Sequence, residues 1–300
     1  MPEFQKQTVQ WFPGHMAKTR RKIKENLPLV DGVVELVDAR IPSSSRNPEL
    51  DELTAGKPRI ILLNKADIAD SNATHCWKQY FEQQGYYVLP CDCKTGKGLN
   101  GFDSLVRKAL QEKIESNQRK GMPGRALRLM VVGIPNTGKS TFINRMAGKN
   151  RLKAADRPGV TRTSQWVVAG NGIELLDTPG VLWPKFEDPV VGDRLAFIGS
   201  VKDEIMDMET IAVRLLEVLK ADYPDRLQER YKLTEEDCQG EAYEILEAIG
   251  RKRGFLIRGG EINTERTANT IMDEYRSGKL GKLTLERPEP DAPRKEESHG

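Results

Sequence analysis

Eight residues constrain this chain more than any others: Gly133-Ile134-Pro135-Asn136-Thr137-Gly138-Lys139-Ser140. They follow the apolar run Leu127-Arg128-Leu129-Met130-Val131-Val132, which reads as a strand. A Gly-x4-Gly-Lys-Ser pattern that leaves a strand and opens a helix is a phosphate loop. Its glycines let the backbone wrap so that N–H groups point at phosphate oxygens, and the helix that starts near Ser140 adds its positive dipole end. Residues Asn136, Thr137, Gly138, Lys139, Ser140 and Thr141 are therefore the expected phosphate contacts. Lys139 neutralises β/γ-phosphate charge, and the Ser140 hydroxyl is placed to ligate Mg²⁺.

Two further short motifs share this logic. Asp177-Thr178-Pro179-Gly180 ends another apolar run. Asp177 is expected to hold Mg²⁺ through a water, and the Gly180 N–H to sense the γ-phosphate. Asn64-Lys65-Ala66-Asp67 ends a third, Arg59-Ile60-Ile61-Leu62-Leu63. Asp67 can accept two hydrogen bonds from the N1–H and N2–H₂ edge of guanine. Adenine offers no such pair, and a mismatch that leaves a buried polar group unpaired discriminates strongly. Asn64 can fix the base and the phosphate loop, and the Lys65 stem can cover the purine face. The expected ligands are GTP and GDP.

The order of these motifs is unusual. An ordinary small GTPase starts with the phosphate loop and ends with the base reader; here the base reader comes first. The inversion reads as a circular permutation, which moves the termini relative to the nucleotide. Residues Asn117 to Arg125, polar, basic and glycine-containing, would be the added surface join. Such joins are tolerated where termini lie close together.

Two weaker assignments complete the site. Thr161 lies where a switch threonine would finish the Mg²⁺ coordination in the GTP state, with Thr163 as its competitor. Cys91-Asp92-Cys93-Lys94 resembles the Ser-Ala-Lys segment whose backbone contacts guanine O6, so Cys93 would serve through its backbone and Lys94 by packing.

The strands Val33 to Asp38, Arg59 to Asn64 and Tyr86 to Pro90 alternate with helical spacings at Asn72 to Gln84 and Leu99 to Ile114. With Leu127 to Val132, Gln165 to Ala169 and Ile173 to Leu176 they predict an α/β, doubly wound, mostly parallel sheet. After about residue 185 strand-like runs largely vanish. Ile205 to Leu219, Glu241 to Ile249 and Glu265 to Tyr275 predict a small all-α domain. The expected organisation is a permuted GTPase domain over 1–185, a helical domain over 186–285 and a disordered, proline-rich tail over 286–300.

A chain of 300 residues with 38% hydrophobic and 30% charged residues fits a soluble globular protein. No apolar run reaches the roughly 18 residues of a membrane span. Met1-Pro2-Glu3-Phe4-Gln5 has no apolar core of a secretory leader, so the expected location is the cytoplasm. Cys76, Cys91, Cys93 and Cys238 show no metal-finger spacing and read as reduced thiols. The net charge of +3 says little, but Lys18 to Lys24, Arg251 to Arg258 and Arg276 to Lys282 are basic clusters of the kind that phosphate backbones attract.

Motif order, Trp11-Phe12-Pro13-Gly14-His15-Met16, Asp38-Ala39-Arg40, Gly133-Ile134-Pro135-Asn136 and Gly278-Lys279-Leu280-Gly281-Lys282-Leu283-Thr284-Leu285 together resemble the circularly permuted GTPases of ribosome assembly. The resemblance covers about residues 8 to 285. It implies a cytoplasmic GTPase that binds the precursor of the large ribosomal subunit and its rRNA, acts late in maturation, and is stimulated by rRNA; the expected oligomeric state is a monomer. Val181 and Leu182 stand where ordinary GTPases carry a catalytic glutamine. The resemblance offers His15 as the replacement, against the alternative of a structural histidine. It also likens Asn136 to the asparagine of K⁺-activated GTPases, against the alternative of a loop cap. Trp11 and Phe12 stay open between a hydrophobic clip and an RNA contact. Rival functions are an RNA-binding scaffold with GTP as a structural ligand, a GTPase of tRNA modification or signalling, and an ATPase.

Overall fold

The computed structural model describes residues 13–148, 165–178, 180, 188–201, 203 and 206–288, with side chains from residue 20 onwards. Helix α1 (Pro13–Asn26) leads into β1 (Gly32–Asp38), whose run Val33-Val34-Glu35-Leu36-Val37 is wholly buried. The short α2 (Glu49–Leu53) precedes β2 (Arg59–Asn64); α3 (Ser71–Gln83) precedes β3 (Tyr87–Pro90). Asp70 caps α3 by accepting the Ala73 N–H at 2.7 Å. Next come α4 (Phe102–Ala109), α5 (Gln111–Arg119), β4 (Leu127–Val132) and α6 (Lys139–Met146), then the antiparallel pair β5 (Gln165–Gly170) and β6 (Ile173–Asp177).

The six strands run β3-β2-β1-β4-β6-β5. All neighbours are parallel except β5 and β6. Strand order therefore runs one way from β1 to β3 and the other way from β4 to β6. The crevice for ligands in such a sheet lies at the carboxyl ends beside that reversal. Asp38, Asn64, Val132 and Asp177 all end strands at this edge, with Asp38 opposite Asn64 in register.

The remaining helices are α7 (Pro189–Phe197), α8 (Met208–Asp222), α9 (Pro224–Tyr231), α10 (Glu235–Gln239), α11 (Ala242–Lys252) and α12 (Thr264–Arg276). Leu195, Leu215, Leu219, Ile245, Ile249, Ile271 and Met272 are fully buried among them. That core is not closed on itself: Ile41, just beyond β1, and Ile134, in the glycine loop after β4, belong to it. The helices thus pack directly onto the loops at the carboxyl edge of the sheet.

Three expectations change. The helical stripe over Leu99 to Ile114 is a 3₁₀ turn (Leu99–Gly101) followed by two helices that break at Leu110, whose φ of −109° leaves the helical region. Residues 117–119 of the expected join complete α5. Glu286 is not part of a tail: it is buried, and its carboxylate accepts the Ser43 and Ser44 N–H groups, at 2.6 and 3.1 Å, and the Arg194 guanidinium at 3.1 Å. Its carbonyl accepts Nε1–H of Trp77 at 3.1 Å. Residues 289–300 lie outside the described residues.

Two buried ion-pair systems flank β1. Glu35, in the middle of the strand, faces Arg46 and Arg59, which also reach Asp51 and lie over the Tyr86 ring. Asp38, at its end, pairs with the fully buried Arg40 at 2.8 Å. Arg40 also donates to the carbonyls of Tyr275 and Arg276 at the end of α12, at 3.1 and 3.4 Å. Removing one partner of a buried pair strands the other charge, at about 3–5 kcal/mol. Arg40→Ala is therefore expected to lose about 3–5 kcal/mol in denaturant unfolding, and Arg40→Lys, which lacks the fork, to recover only part of it.

Candidate nucleotide site

The base-reading segment, the phosphate loop and the strand ends meet through side chain to backbone bonds. Asn64 Nδ2 donates to the Thr137 carbonyl at 2.7 Å, and Asn64 Oδ1 accepts the Cys93 N–H at 2.9 Å. One buried amide thus ties β2 to the glycine loop and to the segment after β3. Gly138 sits against it with φ 97°, where an added Cβ would collide with Nδ2 of Asn64. Gly133, φ 144°, likewise has no room, since a Cβ would lie 2.6 Å from the Leu36 carbonyl oxygen.

Lys65 and Asn136 are two of four non-glycine residues among those described with positive φ, 61° and 62°. They are joined: Lys65 Nζ donates to the Asn136 carbonyl at 2.9 Å and pairs with Asp38 at 3.0 Å. Backbone in this region persists where the surroundings over-determine it. Burial alone would push the Asp38 carboxyl up; Arg40 and Lys65 more than reverse this and hold it well below the usual carboxylate range.

Lys139 is buried at the start of α6 and donates to the Ile134 carbonyl at 2.7 Å. Burial lowers its pKa to about 8, against the attraction of Asp177. Thr137 Oγ1 donates to the Ile134 carbonyl at 2.9 Å, and Thr178 Oγ1 to the Val131 carbonyl at 2.6 Å. Gly180 lies close over the loop: a Cβ there would be 3.0 Å from Lys139 Nζ and from the Pro135 nitrogen. Ser140 and Thr141 begin α6 and are half-buried. The Ser140 hydroxyl and the Asp177 carboxylate stand on neighbouring strand–loop units, β4–α6 and β6. This oxygen donor set suits Mg²⁺, which takes one or two protein ligands and completes its shell with phosphate and water. Among the described residues no cluster of three or more His, Cys, Asp or Glu offers a different metal site.

The geometry departs from expectation at four residues. Asp67 is exposed rather than buried. The Cys93 amide, expected to face guanine O6, is engaged by Asn64, and the Lys94 N–H by Asp92 at 2.8 Å, while the Lys94 side chain is exposed. The Asn136 amide donates to the Gly199 carbonyl, just beyond α7. Ser200 repeats the contact, its hydroxyl donating to the Pro135 carbonyl at 2.7 Å. His15 lies on α1, with its side chain outside those described; Trp11, Phe12, Thr161, Thr163 and Pro179 lie outside the described residues.

Comparison with known proteins agrees with this geometry. A family model described as 50S ribosome-binding GTPase matches residues 128–246. Ribosome biogenesis GTPase A of Bacillus licheniformis is 51% identical over 281 residues, covering 94% of this chain and 99% of the relative. The chain belongs to the ribosome biogenesis GTPase A family. The protein of the same name from Thermotoga maritima is 34% identical over 289 residues, covering 96% of this chain and 98% of that one. GNP-bound YlqF from T. maritima superposes with a TM-score of 0.63 at 31% identity, over 91% of this chain and all of that one. GDP-bound YlqF gives 0.65 at 31% identity over 90% of this chain and all of that one. The chain is a GTPase, and the permuted motif order is that of its family.

Sequence reasoning missed the Asp38–Arg40–Lys65 chain and the docking of Gly199 and Ser200. A signal existed for the first in the charged residues that close the apolar β1 run. For the second, nothing local marks Gly199-Ser200.

Two measurements follow. Asn64→Ala leaves the Thr137 carbonyl and Cys93 N–H unpaired, so GDP affinity should fall about 10–100-fold, read by fluorescent-nucleotide titration with the circular dichroism spectrum unchanged. For Lys139, with its pKa lowered from 10.5 to about 8, the unfolded chain binds a proton between those values that the free folded site does not. This group therefore erodes stability as pH falls from 10.5 to 8, and the loss is complete below 8. Phosphate restores the charge. GDP binding at a pH half a unit above the pKa of about 8 should take up a proton, seen by calorimetry in two buffers of different ionisation enthalpy, and the uptake should fade as the pH drops below that pKa.

Proposed function

We propose that this GTPase serves late maturation of the large ribosomal subunit, binding its precursor and rRNA and hydrolysing GTP faster when bound there. The observation that carries the reading is the joint between nucleotide and helices: Asn136 to Gly199 and Ser200 to Pro135 link the phosphate loop to the start of the helical domain. The names borne by its relatives, Ribosome biogenesis GTPase A, supply the partner class. Residues 1–185 act as the permuted GTPase domain and 186–285 as the rRNA-facing helical domain, whose exposed Arg251, Lys252 and Arg258 supply positive charge. No helix among the described residues is long and apolar enough to cross a membrane; we take the protein as a cytoplasmic monomer.

In this reading Ser140 and Asp177 would hold Mg²⁺, with Thr161 added in the GTP state, and the ion would supply positive charge to offset the phosphates. Lys139 and the loop N–H groups neutralise the rest. Asn64, Lys65, Asp67, Cys93 and Lys94 frame guanine, and Gly180 senses the γ-phosphate. Asn136, whose Nδ2 donates to Gly199, would offer its amide oxygen to K⁺, which would add positive charge to offset the phosphates, and His15 would orient the attacking water. Hydrolysis then releases the loops and with them the joint to the helices, an order–disorder switch.

GTP turnover measured with and without purified large subunits, in K⁺ and in Na⁺, tests this. The expected outcome is strong stimulation by subunits, greater in K⁺, and co-sedimentation that weakens steeply with salt. Stimulation indifferent to the cation would remove the K⁺ site alone; no stimulation in either salt would remove the ribosomal role.

A further inference from the structure

Residues 278–286 form a strap between the base-reading turn, the end of β1 and the helices. Gly278, φ 77°, lies so close to Ile68 that an added Cβ would collide with its side chain. The Leu283 N–H donates to the Ile68 carbonyl at 3.2 Å, and the Leu285 N–H to the Arg40 carbonyl at 2.8 Å. Between them, Thr284 uses every polar atom it has. Its hydroxyl accepts the Asp70 N–H at 3.1 Å and donates to the Ala39 carbonyl at 3.2 Å. Its own N–H donates to the Tyr223 oxygen at 3.1 Å, and its carbonyl accepts the Tyr223 hydroxyl at 2.8 Å. The residue is 2% exposed.

The turn that presents Asp67 is consequently pinned at both ends. At Lys65 it is held by Asp38 and the Asn136 carbonyl. At Asp70 the structure offers the Thr284 hydroxyl to its N–H, while its carboxylate caps α3. Within the turn the Ile68 N–H donates to the Lys65 carbonyl, and the Ala66 N–H donates outward to the Cys91 carbonyl beyond β3, both at 3.1 Å; Asp67 itself is exposed. An exposed carboxylate reads two donors on one base edge only if its backbone is held still; a site loose by an ångström loses the second bond first.

We propose that Thr284 is a positioning residue for guanine recognition, bracing the Asp67 turn against the end of β1 and, through Tyr223, against the helical domain. The proposal rests on Asp67 as the base reader. The strap thereby carries the position of α8 and α9 to the base edge, as Asn136 and Ser200 carry it to the phosphates. A valine at 284 keeps the shape of the side chain but leaves the Asp70 N–H and the Ala39 carbonyl unpaired. A serine keeps both bonds.

The test compares GDP with IDP, which lacks the 2-amino group, by titration. For Thr284→Val the expected result is about a tenfold fall in GDP affinity with about a twofold fall for IDP, so that discrimination drops about fivefold; Thr284→Ser restores it. An equal fall for both nucleotides means a purely structural brace and overturns the proposal. Tyr223→Phe, which keeps the ring and removes the hydroxyl that holds Thr284, should lower the ratio about twofold; an unchanged ratio overturns the proposal if Thr284→Val does not fold. Asp67→Asn, assayed alongside, should move preference from GDP to xanthosine diphosphate. If it keeps its GDP preference, the base-reader assignment falls and the proposal with it. If it switches while Thr284→Val lowers GDP and IDP alike, only the proposal falls.

Discussion

The buried pair of Asp38 and Arg40 is the constraint on which the rest of the structure leans. Both side chains are shielded from water, so neither charge is tolerable without the other. Arg40 also donates to the Tyr275 and Arg276 carbonyls at the end of α12, beyond the reach of the helix's own i to i−4 ladder. Asp38 spends its second oxygen on both Arg40 and Lys65. Strand end, terminal helix and base-reading loop are thereby parts of one charge system. The cation at the end of α12 also complements the negative end of its dipole.

This arrangement gives the permutation a physical meaning. The phosphate loop follows β4, in the middle of the sheet, and the base reader follows β2, two strands away. Which strand the chain visits first does not alter where those loops stand. What changes is the connection: the chain leaves β6 for the helical domain and returns, through the strap, to the backs of the loops it has already built. Ile134 and Ile41 sit in the helical core. The helices are therefore not an appendage on a linker; they share packing with the loop after β1 and with the glycine loop after β4, and packed cores move between discrete arrangements rather than deforming smoothly.

The strands were legible because parallel strands covered on both faces must be short and apolar, and the run around Arg59 to Asn64 has no other reading. The glycine loop was legible because positive φ and close backbone approach demand glycine, as at Gly133 and Gly138. The helical segment at Leu99 departs from a continuous helix, and its stripe did not show this because apolar spacing survives a break: Leu105 and Val106 before Leu110, and Ile114 after it, pack on the same core. Glu286 looked like tail because a glutamate among prolines is the composition of disorder. Its partners are the backbone of Ser43 and Ser44, more than 200 residues away, which no local pattern announces.

The sequence by itself determined the class of chemistry: a GTPase, the glycine loop between strand and helix, and the permuted order of its motifs. Those depend on short-range backbone geometry and on functional groups, both written locally. Only the tertiary structure decided which of these groups are already engaged with each other, as Cys93 is with Asn64 and Asn136 with Gly199. It alone brought Thr284 to Asp70 and Arg40 to α12. The physical reason is that a buried hydrogen bond or ion pair needs only a complementary partner in space, at any separation along the chain, so its partner is settled by packing and by the cost of leaving a polar group dry.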